Sequence, residues 1–171
     1  MSLEQKAKEF ATKAHDGQRR KYTNLPYITH PAAVVELVRS VDHTEEMLAA
    51  SWLHDVVEDC GVSISEIREE FGDDVASLVD WLTDVSKPSD GNRERRKHLD
   101  MIHMANASPS AKTIKIADLI DNTLSIVIYD PEFAKVYLPE KMDLLQVLKE
   151  GDSDLWKRAF DQVNVLVKDG I

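Results

Sequence analysis

The chain has 171 residues, 43% of them hydrophobic and 30% charged, which suits one globular domain with a sizeable core and is short for two. A formal net charge of −10 excludes a general nucleic-acid binder, which needs a basic footprint, but leaves room for a small phosphorylated ligand beside a local cation. The single cysteine, Cys60, excludes an internal disulfide, and its place after Glu58-Asp59 disfavours a reactive thiolate.

Only 6 Gly and 6 Pro are present, so a fold of many tight turns is disfavoured. Leu3, Ala7, Phe10, Ala11 and Ala14 recur at helical spacing and predict an amphipathic first helix ending near Gly17, not a signal peptide. No apolar run approaches the ~18 residues that a membrane span needs, so a cytoplasmic protein with no membrane partner is expected. An irregular stretch then runs to His30, and Pro31 suits the first turn of a helix that buries Val34, Val35 and Val38. Thr44 caps a predicted helix through Val57, and Ser63 with Glu66 forms a capping box for a short helix that stops at Gly72. Further helices follow through Val75 to Leu82, from about Asn92 to Met104, and from Ser108-Pro109 through Ile120. Asp130-Pro131 and Asp152-Ser153 open the last two. No strand alternation survives, and the expectation is a single all-α domain over residues 1–171 with about nine helices.

Within this pattern, Trp52-Leu53-His54-Asp55-Val56-Val57-Glu58-Asp59 sets four polar residues into an apolar helix. His54 with Glu58, and Asp55 with Asp59, are four apart, so each pair lies along one face of that helix. Burying such groups unpaired is costly, and a cation would remove the cost. Asp118 and Asn122 share a face of another apolar helix, and His30 stands where the irregular segment hands over to a helix. His30, His54, Asp55 and Asp118 therefore make an N₂O₂ set with open positions, as a hydrolytic metal requires.

The strings His15-Asp16-Gly17-Gln18 with Arg20-Lys21, Pro26-Tyr27-Ile28-Thr29-His30-Pro31, His54 to Asp59, and Lys115-Ile116-Ala117-Asp118 with Asn122 occur in that order over about residues 7–128. In this the chain resembles the HD-domain phosphohydrolases, more narrowly the hydrolase domain of the RelA/SpoT alarmone enzymes and the stand-alone small alarmone hydrolases. The helices of about 130–170 match only loosely. The resemblance implies a helical bundle that hydrolyses guanosine 3′,5′-bis(diphosphate) at its 3′ position to GDP and pyrophosphate. It implies one Mn²⁺ on His30, His54, Asp55 and Asp118, and proton transfer and water orientation by Glu58 and Asp59. Arg20 and Lys21 would lie against the guanine and Asn122 near the ribose, so the expected partner is a small nucleotide.

Two departures bear on specificity. Tyr22-Thr23-Asn24-Leu25 replaces a short Gly-containing turn, and Leu124 stands where relatives carry Arg. They keep open a phosphatase for another nucleotide or a 2′- or 3′-phosphorylated cofactor, and a nucleotide-binding regulator without turnover. His15 belongs to the matched string and fits a supporting or structural role. His43, His98 and His103 read as surface or packing residues, and the run Arg93 to Lys97 reads as a solvated helix face that can also attract phosphate.

Overall fold

Polar caps start most of the helices where the sequence places them. In the computed structural model, which describes residues 1–168 and the side chains of all but the last two of these, Ser2 caps α1 (Leu3–Ala14) by accepting from the Gln5 N–H. Thr44 does the same for α3 (Glu45–Leu53) through the Met47 N–H, and Ser63 and Glu66 form a complete capping box on α5 (Ile64–Phe71). Between these lie α2 (Thr29–Arg39) and α4 (Val56–Cys60), and α6 (Asp73–Leu82) follows.

After a short 3₁₀ turn at Pro88–Asp90, Asn92, Ser108 and Asp130 cap α7 (Arg93–Ala105), α8 (Pro109–Tyr129) and α9 (Pro131–Val147), while α10 (Ser153–Lys168) follows Asp152, whose carboxylate accepts from the N–H groups of Asp154 and Leu155. Among the described residues this gives ten α-helices and no strand, only an isolated bridge between Arg19 and Pro26. The all-α expectation holds. The one extra helix arises because the run expected to continue from Thr44 through Val57 is broken at His54-Asp55 into α3 and α4. No helix among the described residues is long and apolar enough to cross a membrane.

The chain divides into two compact units, the first Met1–Thr83 and the second beginning at Asp84. In the first, α3 packs against α1, α2 and α6, and every residue from Met47 to Leu53 is buried. A helix buried on all sides has no polar face to spare. Within the buried stretch Ser51 donates its hydroxyl to the Met47 carbonyl. Ala7, Ala11, Val34, Val38 and Val79 complete the packing from the neighbours. His54, arriving at the C-terminal end of this helix, is therefore delivered into the interior.

In the second unit α8 carries the core residues Ile114, Ile116 and Ile120 and packs on α9 and α10, with Ala134, Leu138 and Val163 closing one apolar cluster. Gly151, before α10, lies so close to α8 that a Cβ would stand 2.7 Å from Ile116 Cδ1 and 3.1 Å from backbone atoms at Lys112-Thr113, so no larger residue fits without a shift. Lys112 and Lys141 are buried within this unit, although both occupy positions that composition alone would put in water.

Candidate metal centre

His54 and Asp55 are adjacent, and adjacent side chains on a regular helix diverge by about 100°. The break between α3 and α4 removes that constraint. Asp55 sits at φ −107°, ψ −3°, and its Oδ2 comes to 3.1 Å from Nε2 of His54. The His30 Nε2, supplied by the first turn of α2, lies 3.7 Å from the same oxygen. One ligand atom from each of His30, His54 and Asp55 thus falls within 4.8 Å of the others. The helical register resumes at once, since the Asp59 N–H donates to the Asp55 carbonyl at 2.9 Å, and Gly61 in the left-handed region (φ 69°) ends α4.

The hydrogen bonds around the three residues test whether they suit a cation. Nδ1 of His54 is 2.7 Å from the Ser51 carbonyl, an acceptor, so the ring proton belongs on Nδ1 and the Nε2 lone pair faces Asp55. The Tyr27 hydroxyl donates to Asp55 Oδ2 at 2.6 Å. Two imidazoles, their planes inclined at 67° with centroids 5.2 Å apart, therefore turn their edges towards a carboxylate that is already oriented by a phenol. Lone pairs that converge in a buried place repel unless a cation lies among them, and neutral imidazole with carboxylate is a donor set that divalent transition ions accept. The residues fit a metal ion.

Glu58 and Asp59 are exposed on α4, one turn beyond the pair His54-Asp55. The Asp59 carboxyl is pushed above its usual range, first by partial desolvation and then by the charge of Asp55, while a hydrogen bond from Gln18 Nε2 at 3.2 Å works the other way. Burial and the charges of Asp59 and Asp55 push the Cys60 thiol up, in keeping with an unreactive cysteine.

Arg20 is half-buried and Lys21 exposed, with the Lys21 ammonium 5.2 Å from the centre of the Tyr22 ring. Both lie on a turn closed by the Arg20 N–H donating to the Leu25 carbonyl. Asn24 supplies a φ of 56° there, taking the left-handed conformation for which a glycine is the usual choice.

In the second unit Asp118 is buried on α8, its carboxylate accepting from Lys115 Nζ at 2.9 Å and from Asn122 Nδ2 at 3.0 Å. Asp118 and Asn122 thus share a helix face as their spacing requires. Both line a cavity of about 1060 Å³ whose walls also include Arg95 and Lys97 of α7 and Phe133 and Tyr137 of α9. Arg93, in the same wall, forms a two-pronged pair with Glu140 (2.8 and 3.0 Å) over the ring of Phe133. His43 and His98 are exposed, as expected of surface residues.

Sequence reasoning did not single out Tyr27, Gln18 and Ser51 as partners of the site. Tyr27 and Gln18 were present in the matched strings, which was a usable signal. The Ser51 carbonyl left none.

The model of the HD-domain family matches residues 7–159 of this helical chain, and the chain belongs to that family. It is 35% identical over 129 residues to the guanosine-3′,5′-bis(diphosphate) 3′-pyrophosphohydrolase MESH1 of Xenopus tropicalis, covering 74% of this chain and 70% of that one. It is 31% identical over 140 residues to a guanosine-3′,5′-bis(diphosphate) 3′-pyrophosphohydrolase of Aquifex aeolicus, covering 82% of this chain. The chain spans about a fifth of the length of that and the other first curated relatives it matches. A solved structure of a metazoan SpoT ortholog, described as hydrolysing ppGpp with a role in starvation responses, superposes with a TM-score of 0.86 at 28% identity, over 96% of this chain and 95% of that one.

Proposed function

We propose that this chain is a metal-dependent hydrolase that removes the 3′-diphosphate of guanosine 3′,5′-bis(diphosphate), giving GDP and pyrophosphate. The observation that carries the proposal is the convergence of His30, His54 and Asp55 within 4.8 Å, in a chain whose relatives of similar length bear that activity in their names. The family model runs through both compact units, which supports treating residues 1–171 as one functional domain.

On this reading His30, His54 and Asp55 hold one divalent ion, Mn²⁺ by the family resemblance. Asp118 is assigned the fourth place by that resemblance alone. When bound, such an ion supplies Lewis acidity towards a phosphoryl oxygen and lowers the pKa of a coordinated water. The protein's own groups do the rest. Ser51 and Tyr27 hold the imidazole and carboxylate in their ligating orientation. Glu58 and Asp59 orient the attacking water and return a proton to the departing 3′ oxygen, so that GDP leaves with a neutral hydroxyl. Arg20 offers a planar, permanently charged surface to the guanine, with Lys21 beside it, and Asn122 faces the ribose.

The test is product analysis on Mn²⁺-loaded protein. Equimolar GDP and pyrophosphate from guanosine 3′,5′-bis(diphosphate) is the expected result. A second reading, a phosphatase for a 2′- or 3′-phosphorylated cofactor, is favoured by one observation: the turn at Tyr22–Leu25, beside Arg20, is built on Asn24 rather than on the family's glycine. Inorganic phosphate from such a cofactor, with the bis(diphosphate) untouched, would establish it instead. Stoichiometric nucleotide binding without turnover by metal-loaded protein would leave a binding-only regulator.

A further inference from the structure

A third imidazole lies beside the centre and has no part in the ligand set. His15, which caps α1, is 3% exposed, and its Nδ1 is 2.8 Å from Gln18 Oε1. The other end of that amide, Gln18 Nε2, donates to Asp59 Oδ2 at 3.2 Å. The hydrogens along this chain are fixed by elimination. An ionised carboxylate can only accept, so the amide nitrogen must face Asp59, the amide oxygen must face His15, and the ring proton must sit on Nδ1. Nε2 of His15 is buried with no hydrogen-bond partner, which suits a bare nitrogen better than a stranded N–H. Cys60 Sγ, 3.3 Å from Nδ1, is a weak second acceptor for the same proton.

The ring also has a steric role. Its face packs on Tyr27 with centroids 4.8 Å apart, and the Tyr27 N–H donates to the Gln18 carbonyl at 2.9 Å. Residues 15, 18 and 27 therefore form one braced group whose two polar outlets are a phenol on Asp55 and an amide on Asp59.

We propose that His15 is a positioning residue: its Nδ1–H fixes the orientation of the Gln18 amide, and that amide holds the Asp59 carboxylate in its working direction. The inference rests on the role given to Asp59 above. Without His15 the amide is free to rotate by 180° and to present its oxygen to the carboxylate, which repels it. The effect of His15 on turnover is thus routed through Gln18, and a residue that merely filled space would not behave so.

The experiment uses the full chain loaded with Mn²⁺ and the variants Asp59→Asn, Gln18→Leu, His15→Leu, His15→Asn and the double Gln18→Leu/His15→Leu. Gln18→Leu and His15→Leu should each lower kcat by about 10–100-fold, as removal of a supporting hydrogen bond does, with KM within about twofold and metal content unchanged. The double variant should be no slower than the slower single one, because both remove the same constraint. His15→Asn, whose amide nitrogen falls near the Nδ1 position, should recover most of the rate. Independently of turnover, two-bond ¹H–¹⁵N correlation of the histidine rings should show His15 as the Nδ1–H tautomer.

Losses that multiply in the double variant, an unimpaired Gln18→Leu, or an Nε2–H tautomer at His15 would each overturn the proposal. Gln18→Leu and His15→Asn keep it testable if His15→Leu does not fold. Asp59→Asn separates the two levels of the argument: a slow Asp59→Asn beside a fast Gln18→Leu removes only the positioning role, whereas a fast Asp59→Asn removes the role of Asp59 and this inference with it.

Discussion

Each compact unit buries ionisable side chains among apolar ones, and the two do so by opposite means. The second unit buries the side chains of Lys112 and Lys141, and the carboxylates of Asp100 and Asp118, each against partners inside the protein. Lys112 is bonded to the Glu150 carboxylate at 2.6 Å and to the Ala105 carbonyl, while Lys141 donates to Thr123 Oγ1 and Gln162 Oε1, both at 2.7 Å. In the first unit the groups that converge are imidazole nitrogens and a carboxylate, acceptors facing acceptors, with the available protons of Tyr27 and His54 Nδ1 already directed at Asp55 and Ser51. A buried charge by itself says little about function. What matters is whether the groups around it complement its sign, and at His30, His54 and Asp55 imidazole and carboxylate acceptor atoms converge.

The contrast can be broken most forcefully at His54. His54→Ala should abolish turnover and stoichiometric Mn²⁺ binding, measured by metal analysis after gel filtration, whereas Lys112→Met should leave both intact. Full metal occupancy in the His54 variant would remove the first unit's claim to a metal centre. Next in size, Glu58→Gln should retain the metal and lose about 10²–10⁴-fold in kcat, the usual worth of general acid–base assistance. A near-normal rate would assign the proton transfer to another group.

Tyr27→Phe sharpens the comparison at the level of a single proton. It deletes the donor to Asp55 and should weaken Mn²⁺ affinity by about 10–100-fold in a competitive chelator titration, with little change in thermal stability. An unchanged affinity would make the phenol a packing group.

The smallest effect belongs to Lys141, where burial pulls the ammonium down from its ordinary range to about 7. An unfolded chain keeps that amine protonated to about pH 10.5, whereas the folded chain releases the proton near pH 7. Between those values the unfolded state binds more protons, so stability should rise with pH, by at most about 1.4 kcal/mol per pH unit from this group. Lys141→Met should lose that slope in denaturant titrations at pH 7 and pH 9. A slope that persists would place the responsible group elsewhere.

The legible parts of this molecule were local ones. Caps at Thr44, Ser63, Asn92, Ser108 and Asp130 are read from two to four neighbouring residues, and each forms as the spacing requires. The apolar setting of His54-Asp55 was equally plain, because polar residues in a core stripe are conspicuous. The break at that pair was not, since the apolar periodicity runs smoothly from Met47 to Val57 and carries no Gly or Pro to mark it. Tyr27 and Gln18 act on residues 28 and 41 positions away, a relation that only tertiary packing creates. The burial of Lys141 and Lys112 depends on acceptors contributed from 7 to 38 residues distant.

The interruption between α3 and α4 also bears on any effort to make this protein more robust. A consensus-minded engineer would replace Asp55 with a strong helix former such as Ala and join the two segments into one longer helix. That change would improve local helical propensity and ease the crowding of like groups. It would also remove the carboxylate around which the imidazoles are arranged and rotate its neighbours onto diverging faces. At this joint, thermal robustness and competence are drawn from the same residue, so selection for one should erode the other.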